Sequence, residues 1–378
     1  MLAGGEGKRL QDYIRIARGE DLPKQYVNFV GRRSMLEHTF DRVERLISAR
    51  QIVTVVSKQH LRHGAVRDQL SRRAPENVIV QPENKETGPG IFLPLMHLYK
   101  RCPDATVAVF PSDHFMLEED RFMDHVAVAA QAVAHDPSRI VLLAMEAKYP
   151  EVEYGYVVPR ENHGRLNIWG IRNTARFMEK PDPLTARHLV DTGGLWNTMI
   201  MVFKVRTLLT ILQRLHPTMH EHFSRIYDAI GTSAETRTID EVYRTLEPIN
   251  FSKGFLELVA ATSPETISIL PVLQVFWSDW GSPERLLQVR EILANSGHAV
   301  TERTVGSRSN QSRPGVEPPL AQRPLLAYRT DSSIEWKTSS ESGWTAHSTG
   351  RNDHVGRTAH GMAAERSRSR RNCTNSYR

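Results

Sequence analysis

Two aspartates sit just beyond short apolar runs: Asp113 in VAVFPSDHF (107–115) and Asp279 in FWSDWGSPERL (276–286). Open α/β sheets bind ligands outside the carboxyl ends of their strands. A carboxylate placed there is a good Mg²⁺ ligand, because hard oxygen donors suit that ion. Each aspartate, taken alone, also reads as the cap of a following turn. The chain opens with MLAGGEGKRL, where Gly4, Gly5 and Gly7 are interleaved with Lys8 and Arg9. Glycines let main-chain N–H groups surround phosphate without side-chain clash. Arg9 can add bidentate hydrogen bonds to phosphate oxygens. The stretch matches neither common phosphate loop. A Walker A motif ending at Gly7-Lys8 needs glycine where Leu2 stands and Ser or Thr where Arg9 stands; G-x-G-x-x-G from Gly5 reaches Leu10. Alone, it reads equally as a flexible terminus. In LPKQY (22–26), Lys24 follows a proline-stiffened turn; it suits a fixed phosphate contact or an ordinary exposed lysine.

The elements that must position these residues are legible as periodicity. IVTVVS (52–57), NVIVQ (77–81), TVAVF (106–110) and RIVLLAM (139–145) are near-continuous apolar runs, the pattern of strands buried on both faces. Ser34 followed by Glu37 is a capping-box signature, and Leu36, Phe40, Val43 and Ile47 recur at helical spacing behind it. Residues 90–100 and 120–134 also read as helices. Strands alternating with helices predict right-handed βαβ units and a Rossmann-like, doubly wound α/β fold with a mostly parallel sheet. After residue 150 the pattern changes. YGYVVP (154–159), NIWGI (167–171) and RFMEKP (176–181) read as shorter strands, 205–230 as helix, and LQVFWS (273–278) as a late strand. The predicted organisation is one domain over 1–295, with halves of about 1–150 and 151–295.

Residues 297–378 shift to Ser, Arg, Asn, Thr, Gly and Pro with isolated apolar residues. Such a segment cannot bury enough surface to offset its ordering entropy. It is expected to be a disordered basic tail. Its Arg366, Arg368, Arg370 and Arg371 could touch nucleic acid, although a solvated tail is the plainer reading. The 378-residue chain carries a formal charge of +6, weak grounds for any anionic partner. It has no apolar run of transmembrane length and no secretory leader pattern. Cys102 and Cys373 are too few for a disulfide framework or a cysteine metal site, so a cytoplasmic location fits.

The ordered set GGEGKRL, LPKQY, QPENKETGPGI, FPSDHF, YGYVVP, FMEKP, LWNTMIMVF and WSDWGS resembles the sugar-1-phosphate nucleotidyltransferases over roughly residues 1–290. Within them it is most similar to the mannose-1-phosphate guanylyltransferases; PKQ, PSDH and W-x-D-x-G point to that branch. The resemblance implies Mg²⁺-dependent transfer of GMP from GTP to mannose 1-phosphate, giving GDP-mannose and pyrophosphate. It implies that Gly4, Gly5, Gly7, Lys8, Arg9 and Thr87 bind the nucleotide and that Lys24 neutralises charge near the α-phosphate. Asp113 and Asp279 would hold Mg²⁺. Gly155, Glu179, Lys180 and Asn197 would bind the sugar phosphate, with Glu179 and Asn197 on hydroxyls and Lys180 on phosphate. Outside the resemblance, Glu179-Lys180 reads as a surface ion pair and Asn197 as a turn residue. His114 adjoins a metal candidate, but a phosphate nucleophile is already anionic, so His114 is expected to be structural or a ribose neighbour. The family is often dimeric, which makes a homodimer a partner to test; nucleic acid and membrane are not expected.

The chain departs from the family in four places. Only Met1 and Leu2 precede Ala3-Gly4-Gly5, where the family has a hydrophobic first strand; this reads as a shortened start and predicts marginal stability. KETGPG (85–90) stands where R-N/G-T-A-P-A is usual, which loosens the choice of base. Ser252 replaces a common Asp, which loosens the choice of sugar. The tail lacks the β-rich pattern of bifunctional relatives, so no isomerase activity is expected. Two other readings stay open: the same mechanism with another pair, such as glucose 1-phosphate with UTP or dTTP, or a catalytically impaired nucleotide-sugar-binding copy.

Overall fold

In the computed structural model, residues 1–19, 21–160, 165–295, 300–302 and 326–328 are described. The first half runs β1 (Leu2–Ala3), α1 (Lys8–Arg18), α2 (Met35–Glu44), β2 (Thr54–Ser57), α3 (Gly64–Leu70), β3 (Val78–Gln81), α4 (Thr87–Arg101), β4 (Thr106–Val109), β5 (Phe115–Met116), α5 (Glu119–His135) and β6 (Ile140–Glu146). The second half runs β7 (Gly155–Arg160), β8 (Arg172–Glu179), α6 (Pro183–Asp191), β9 (Leu195–Lys204), α7 (Val205–Leu215), α8 (Pro217–Ala229), α9 (Glu235–Thr245), a π-helical turn (Ser252–Leu256), α10 (Glu257–Thr262), β10 (Ile267–Val272), β11 (Trp277–Ser278) and α11 (Pro283–Asn295). Apart from a ribbon pairing Val300–Glu302 with Leu326–Tyr328, the expected tail over 297–378 lies outside the described residues.

The apolar runs are strands for the reason their pattern gives. Along β6, Val141, Leu143 and Met145 enter one core while Ile140, Leu142 and Ala144 enter the other. Helices cover both faces: Phe40 of α2 and Phe122 of α5 on the first, Ile91 of α4, Leu208 of α7 and Phe223 of α8 on the second. The capping box starts α2 as expected: Glu37 N donates to Ser34 Oγ (3.1 Å) and Ser34 N to Glu37 Oε2 (2.8 Å).

β1, β2 and β3 pair in parallel, and β10 pairs with β6 in parallel. The antiparallel pairings involve β7, β8 and β9 of the second half, together with the short β5–β11 pair and the Val300–Glu302/Leu326–Tyr328 ribbon. The larger sheet has the order β4-β9-β6-β10-β8-β7. The two halves therefore share one sheet, with β9 seated between β4 and β6. The first strand is short, as expected, yet it spans both sheets. Leu2 pairs with Val55 on one side and bridges Pro111 on the other, where Leu2 N donates to Phe110 O (2.8 Å).

Three sequence readings are corrected. NIWGI is not a strand; Arg165–Trp169 forms a 3₁₀ turn that ends at Gly170 with φ 70°. The helix over 205–230 is two helices, broken at His216 ahead of Pro217. The late strand expected over 273–278 shrinks to β11 (Trp277–Ser278), because Gln274 at φ 56° turns the chain before it, and the longer strand here is ISILPV (267–272). Among the described residues no helix is long and apolar enough to cross a membrane.

One packing contact carries a stability prediction. At Gly88, where the family has alanine, an added Cβ would overlap Ile249 Cγ2 and lie 2.8 Å from Ile249 O. Gly88→Ala should destabilise the fold by about 1–3 kcal/mol through overpacking. At Gly90 the added Cβ would lie 3.6 Å from Gln81 Oε1, an ordinary contact. Gly90→Ala should be neutral or stabilising by up to about 1 kcal/mol, because the helix gains a better former. Urea unfolding of the pair checks this; equal effects would contradict it.

Candidate active site

The glycine loop joins β1 to α1 and is held from beneath. Gln25 Nε2 donates to Ala3 O (2.9 Å) and Gly5 O (2.7 Å), and Tyr26 Oη donates to Ala3 O (3.0 Å). Gly7 precedes α1 at φ 62°, and a Cβ there would lie 3.0 Å from Lys24 Cγ. Both the backbone conformation and the close approach of Lys24 require glycine. The α1 N-terminus has no side-chain cap and no acidic residue in its first turn, so its N–H groups and positive dipole end stay available to an anion.

The loop borders a cavity of about 570 Å³ lined also by Lys24, Gln81, Asn84, Glu86, Thr87, Gly90, Asp113, Lys180 and Gly281. The expected nucleotide residues Gly4, Gly5, Gly7, Lys8, Arg9, Lys24, Thr87 and Asp113 all lie on this wall, as does Lys180 from the sugar set. Thr87 also serves the packing of the wall, since its Oγ1 accepts from Phe251 N (2.8 Å). Lys8 is paired with Glu6 (2.7 Å) at the rim.

Pairing of β11 with β5 sets Ser278 opposite Phe115, which brings the two aspartate segments together. Lys24 lies between them. Its Nζ is 3.0 Å from Asp113 Oδ2 and donates to Asp279 O at 2.8 Å. Asp279 Oδ1 accepts from Tyr154 Oη (2.8 Å), Arg285 Nη1 (2.7 Å) and Gly281 N (3.0 Å). Burial alone would raise the Asp279 carboxyl, but Lys24, Arg285 and the Tyr154 hydroxyl hold it down at about 2. His114 is buried, which lowers its imidazole to about 4. Trp277 Nε1 donates to His114 Nδ1 (3.2 Å), so the ring is neutral with its proton on Nε2. That matches a structural role.

The sugar-phosphate candidates assemble on three strands. Gly155 faces Glu179 across β7–β8 and Asn197 across β7–β9. A Cβ on Gly155 would overlap Glu179 Oε2, so glycine is what leaves room for that carboxyl group. Asn197 Nδ2 donates to Ser252 Oγ (3.3 Å), and Met199 N donates to Asn197 Oδ1 (3.1 Å). Lys180 Nζ is 3.2 Å from Glu153 Oε2, and Arg9 Nη1 is 3.2 Å from the same oxygen. The expected nucleotide side and the expected sugar side thus meet at one carboxylate.

Burial pushes Glu179 up to about 7 against the pull of Lys180 and a Ser252 hydrogen bond, with Glu257 and Glu153 adding to the rise. The folded state therefore keeps a proton that the unfolded chain loses near pH 4.5. Stability from this group is complete below that pH and falls as pH rises to about 7. The stability gained by Glu179→Gln over wild type should be larger at pH 8 than at pH 4.5, by on the order of 2 kcal/mol after screening. Chemical unfolding at both pH values checks this; a pH-independent difference would contradict it.

Sequence reading missed Gln25, Gln81, Tyr154, Glu153 and Arg285. Gln81 was findable as a polar residue closing an apolar run; it is buried, its Oε1 has no partner among the described residues, and it lines the cavity. Another signal lies in the backbone. Of the five described non-glycine residues at positive φ, Glu86 and Lys180 line the cavity, Trp280 follows Asp279 and Met199 adjoins Asn197. Such strain concentrates at functional sites.

The donor set suits a hard divalent ion at Asp113. Its Oδ2 lies 3.0 Å from Lys24 Nζ and its Oδ1 4.0 Å from His114 Nε2. Among the described residues no three His, Cys, Asp or Glu converge on one point, so a metal here would draw its other ligands from phosphate and water. The second expected ligand, Asp279, already carries three donors on Oδ1.

A glycine loop at a helix N-terminus, opposed cations and strand-end aspartates thus line one cleft of an α/β fold. The chain belongs to the nucleotidyl transferase family, whose pattern matches residues 1–296. It is 26% identical over 293 residues to the xanthan biosynthesis protein XanB of Xanthomonas campestris pv. campestris (strain B100), covering 77% of this chain and 59% of that protein. It is 27% identical over 303 residues to mannose-1-phosphate guanylyltransferase 2 of Escherichia coli O157:H7, covering 76% and 59%. The chain thus spans about 59% of the length of these relatives. The fold is also similar to the crystal structure named mannose-1-phosphate geranyltransferase from Thermus thermophilus, with TM-score 0.58, 23% identity and coverage of 74% and 75%.

Proposed function

We propose that the chain transfers GMP from GTP to mannose 1-phosphate, giving GDP-mannose and pyrophosphate. The observation that carries the reading is the convergence of Arg9 and Lys180 on Glu153 Oε2, each at 3.2 Å. It brings a cation for the triphosphate and a cation for the sugar phosphate to one point, where two polyanions must approach. A phosphate oxygen of the sugar phosphate attacks the α-phosphorus, the bond to the β-phosphate oxygen breaks, and pyrophosphate leaves. The nucleophile is already an anion, so positioning and charge stabilisation do the chemistry.

The α1 N-terminus and Arg9 receive the triphosphate, Lys24 stands at the α-phosphate, and Lys180 holds the sugar phosphate. Glu179 and Asn197 orient the sugar. Asp113 would hold Mg²⁺, which when bound offsets phosphate charge that the protein's own cations do not. The described cavity wall has four cations (Lys8, Arg9, Lys24, Lys180) and three carboxylates (Glu6, Glu86, Asp113), a net +1 against a triphosphate plus a phosphate. Glu153 releases Arg9 and Lys180 as the phosphates arrive. ³¹P NMR of a mixture with GTP, mannose 1-phosphate and Mg²⁺ tests the reading: new diphosphate-ester and pyrophosphate signals are expected, and an unchanged spectrum would contradict it.

The sugar subsite favours a second reading, the same transfer onto another sugar 1-phosphate. Ser252 Oγ accepts from Asn197 Nδ2 and lies 2.9 Å from Met199 Sδ, which places a thioether beside the expected hydroxyl contacts.

A further inference from the structure

Asp279 is held more tightly than a metal ligand requires. Its Oδ1 accepts from Arg285 Nη1 at 2.7 Å, alongside Tyr154 Oη and Gly281 N, and its Oδ2 faces Arg9 Nη2 at 3.7 Å. Arg285 is only 8% exposed. Its Nη2 is anchored to Glu151 Oε2 at 2.6 Å, and its guanidinium lies 4.4 Å over the Tyr154 ring. The backbone makes room for the pair: a Cβ on Gly281 would lie 2.5 Å from both Arg285 Nη1 and Asp279 Oδ2.

A guanidinium does not lose its charge in a protein and binds a carboxylate in fixed geometry. A divalent ion on Asp279 would have to share the carboxylate with Arg285 or displace it. Sharing sets like charges side by side in a partly desolvated site, where repulsion is strong. Displacement meets the separate anchors at Glu151 and Tyr154. Asp113 has no such resident guanidinium: its cation neighbour is the Lys24 ammonium, 3.0 Å from Oδ2, and no arginine forms an ion pair with it among the described residues.

We propose that Arg285 is a built-in counter-cation for Asp279, which takes the place of a divalent ion there and confines metal binding to Asp113 and the substrate phosphates. Asp279 then acts as a positioning residue: its main-chain oxygen fixes Lys24, and its carboxylate fixes Arg285 and Tyr154. The proposal deepens the reading of this cleft as a phosphate-transfer site, but its test measures metal rather than turnover, so the two can fail separately.

The test is Mn²⁺ binding, read by the electron paramagnetic resonance of the free ion, with Mn²⁺ alone and with Mn²⁺ plus inorganic tripolyphosphate. Arg285→Met keeps an apolar stem over Tyr154 and removes the charge. It should gain one further bound Mn²⁺ or bind Mn²⁺ at least about tenfold more tightly, because a buried carboxylate loses its counter-ion. Arg285→Lys should stay within about twofold of wild type, and adding Asp279→Asn to Arg285→Met should abolish the gain. With Arg285 intact, Asp279→Asn should leave Mn²⁺ binding within about twofold, whereas Asp113→Asn should weaken it about tenfold or more. No gain in a folded Arg285→Met protein would overturn the proposal. So would a loss in Asp279→Asn equal to that in Asp113→Asn, and this arm decides the matter if Arg285→Met does not fold.

Discussion

Asp113→Asn is expected to lower kcat for Mg²⁺-dependent transfer by at least about 10³-fold while the melting temperature changes little. Asp113 follows β4 at the edge of the cavity, and its carboxylate is 3.0 Å from Lys24 Nζ. The amide keeps the shape but loses the charge that would hold a divalent ion against the triphosphate. Raising Mg²⁺ should not restore the rate, because the ligand itself is changed. Steady-state kinetics over a wide Mg²⁺ range, with a thermal melt as the folding control, checks this. A rate within tenfold of wild type would remove Asp113 from the metal site.

Lys24→Met is expected to cost roughly 10²–10³ in kcat with a much smaller change in KM. The Lys24 side chain is 11% exposed, so its charge acts with little screening by water. It is fixed by Asp113 Oδ2 and Asp279 O, and behind it the glycine loop has room only because position 7 lacks a side chain. A cation held this firmly adds most where charge develops on the α-phosphate and its leaving group. An interaction made mainly in the transition state lowers kcat and leaves KM nearly alone. A rise in KM at constant kcat would instead make Lys24 a ground-state phosphate contact.

The parts of this site that could be read in the sequence are those with a local cause. Asp113 is legible because it follows a short apolar run, and the α2 capping box is a local contact between residues three apart. Gly7 is legible because a positive φ beside a cation leaves few other choices. Other features come from long-range geometry. That β9 lies between β4 and β6 depends on strand order, which hydrophobic periodicity does not encode. Glu153 meets Arg9 from 144 residues away, and nothing near either residue signals it. Arg285 lies six residues after Asp279, but a turn and the start of α11 separate them, so no helical spacing connects the pair. LQVFWS has strand composition, yet the left-handed turn at Gln274, whose carbonyl accepts from Arg121 Nη1 (3.0 Å), confines the strand to Trp277–Ser278. Met199 at φ 59° was equally hidden, since methionine gives no sign that its position calls for a left-handed backbone.

Gln81 and Glu86 face the same cavity from the β3–α4 connection, while Ser252 and Met199 border Asn197 and Glu179. On the proposed function, base choice and sugar choice would rest on separate residues around a shared phosphate path. Changes at the rim would retune substrates without disturbing Lys24, Asp113 or Arg9. This separation makes one assay decisive for chemistry and specificity together. It is pyrophosphate release with Mg²⁺, for GTP, ATP, UTP, CTP and dTTP, each paired with mannose, glucose and N-acetylglucosamine 1-phosphates. The proposed function predicts release that requires both substrates, is abolished by Asp113→Asn, and is strongest for GTP with mannose 1-phosphate. Folded protein that releases no pyrophosphate with any pair would contradict the assignment of this cleft to nucleotidyl transfer.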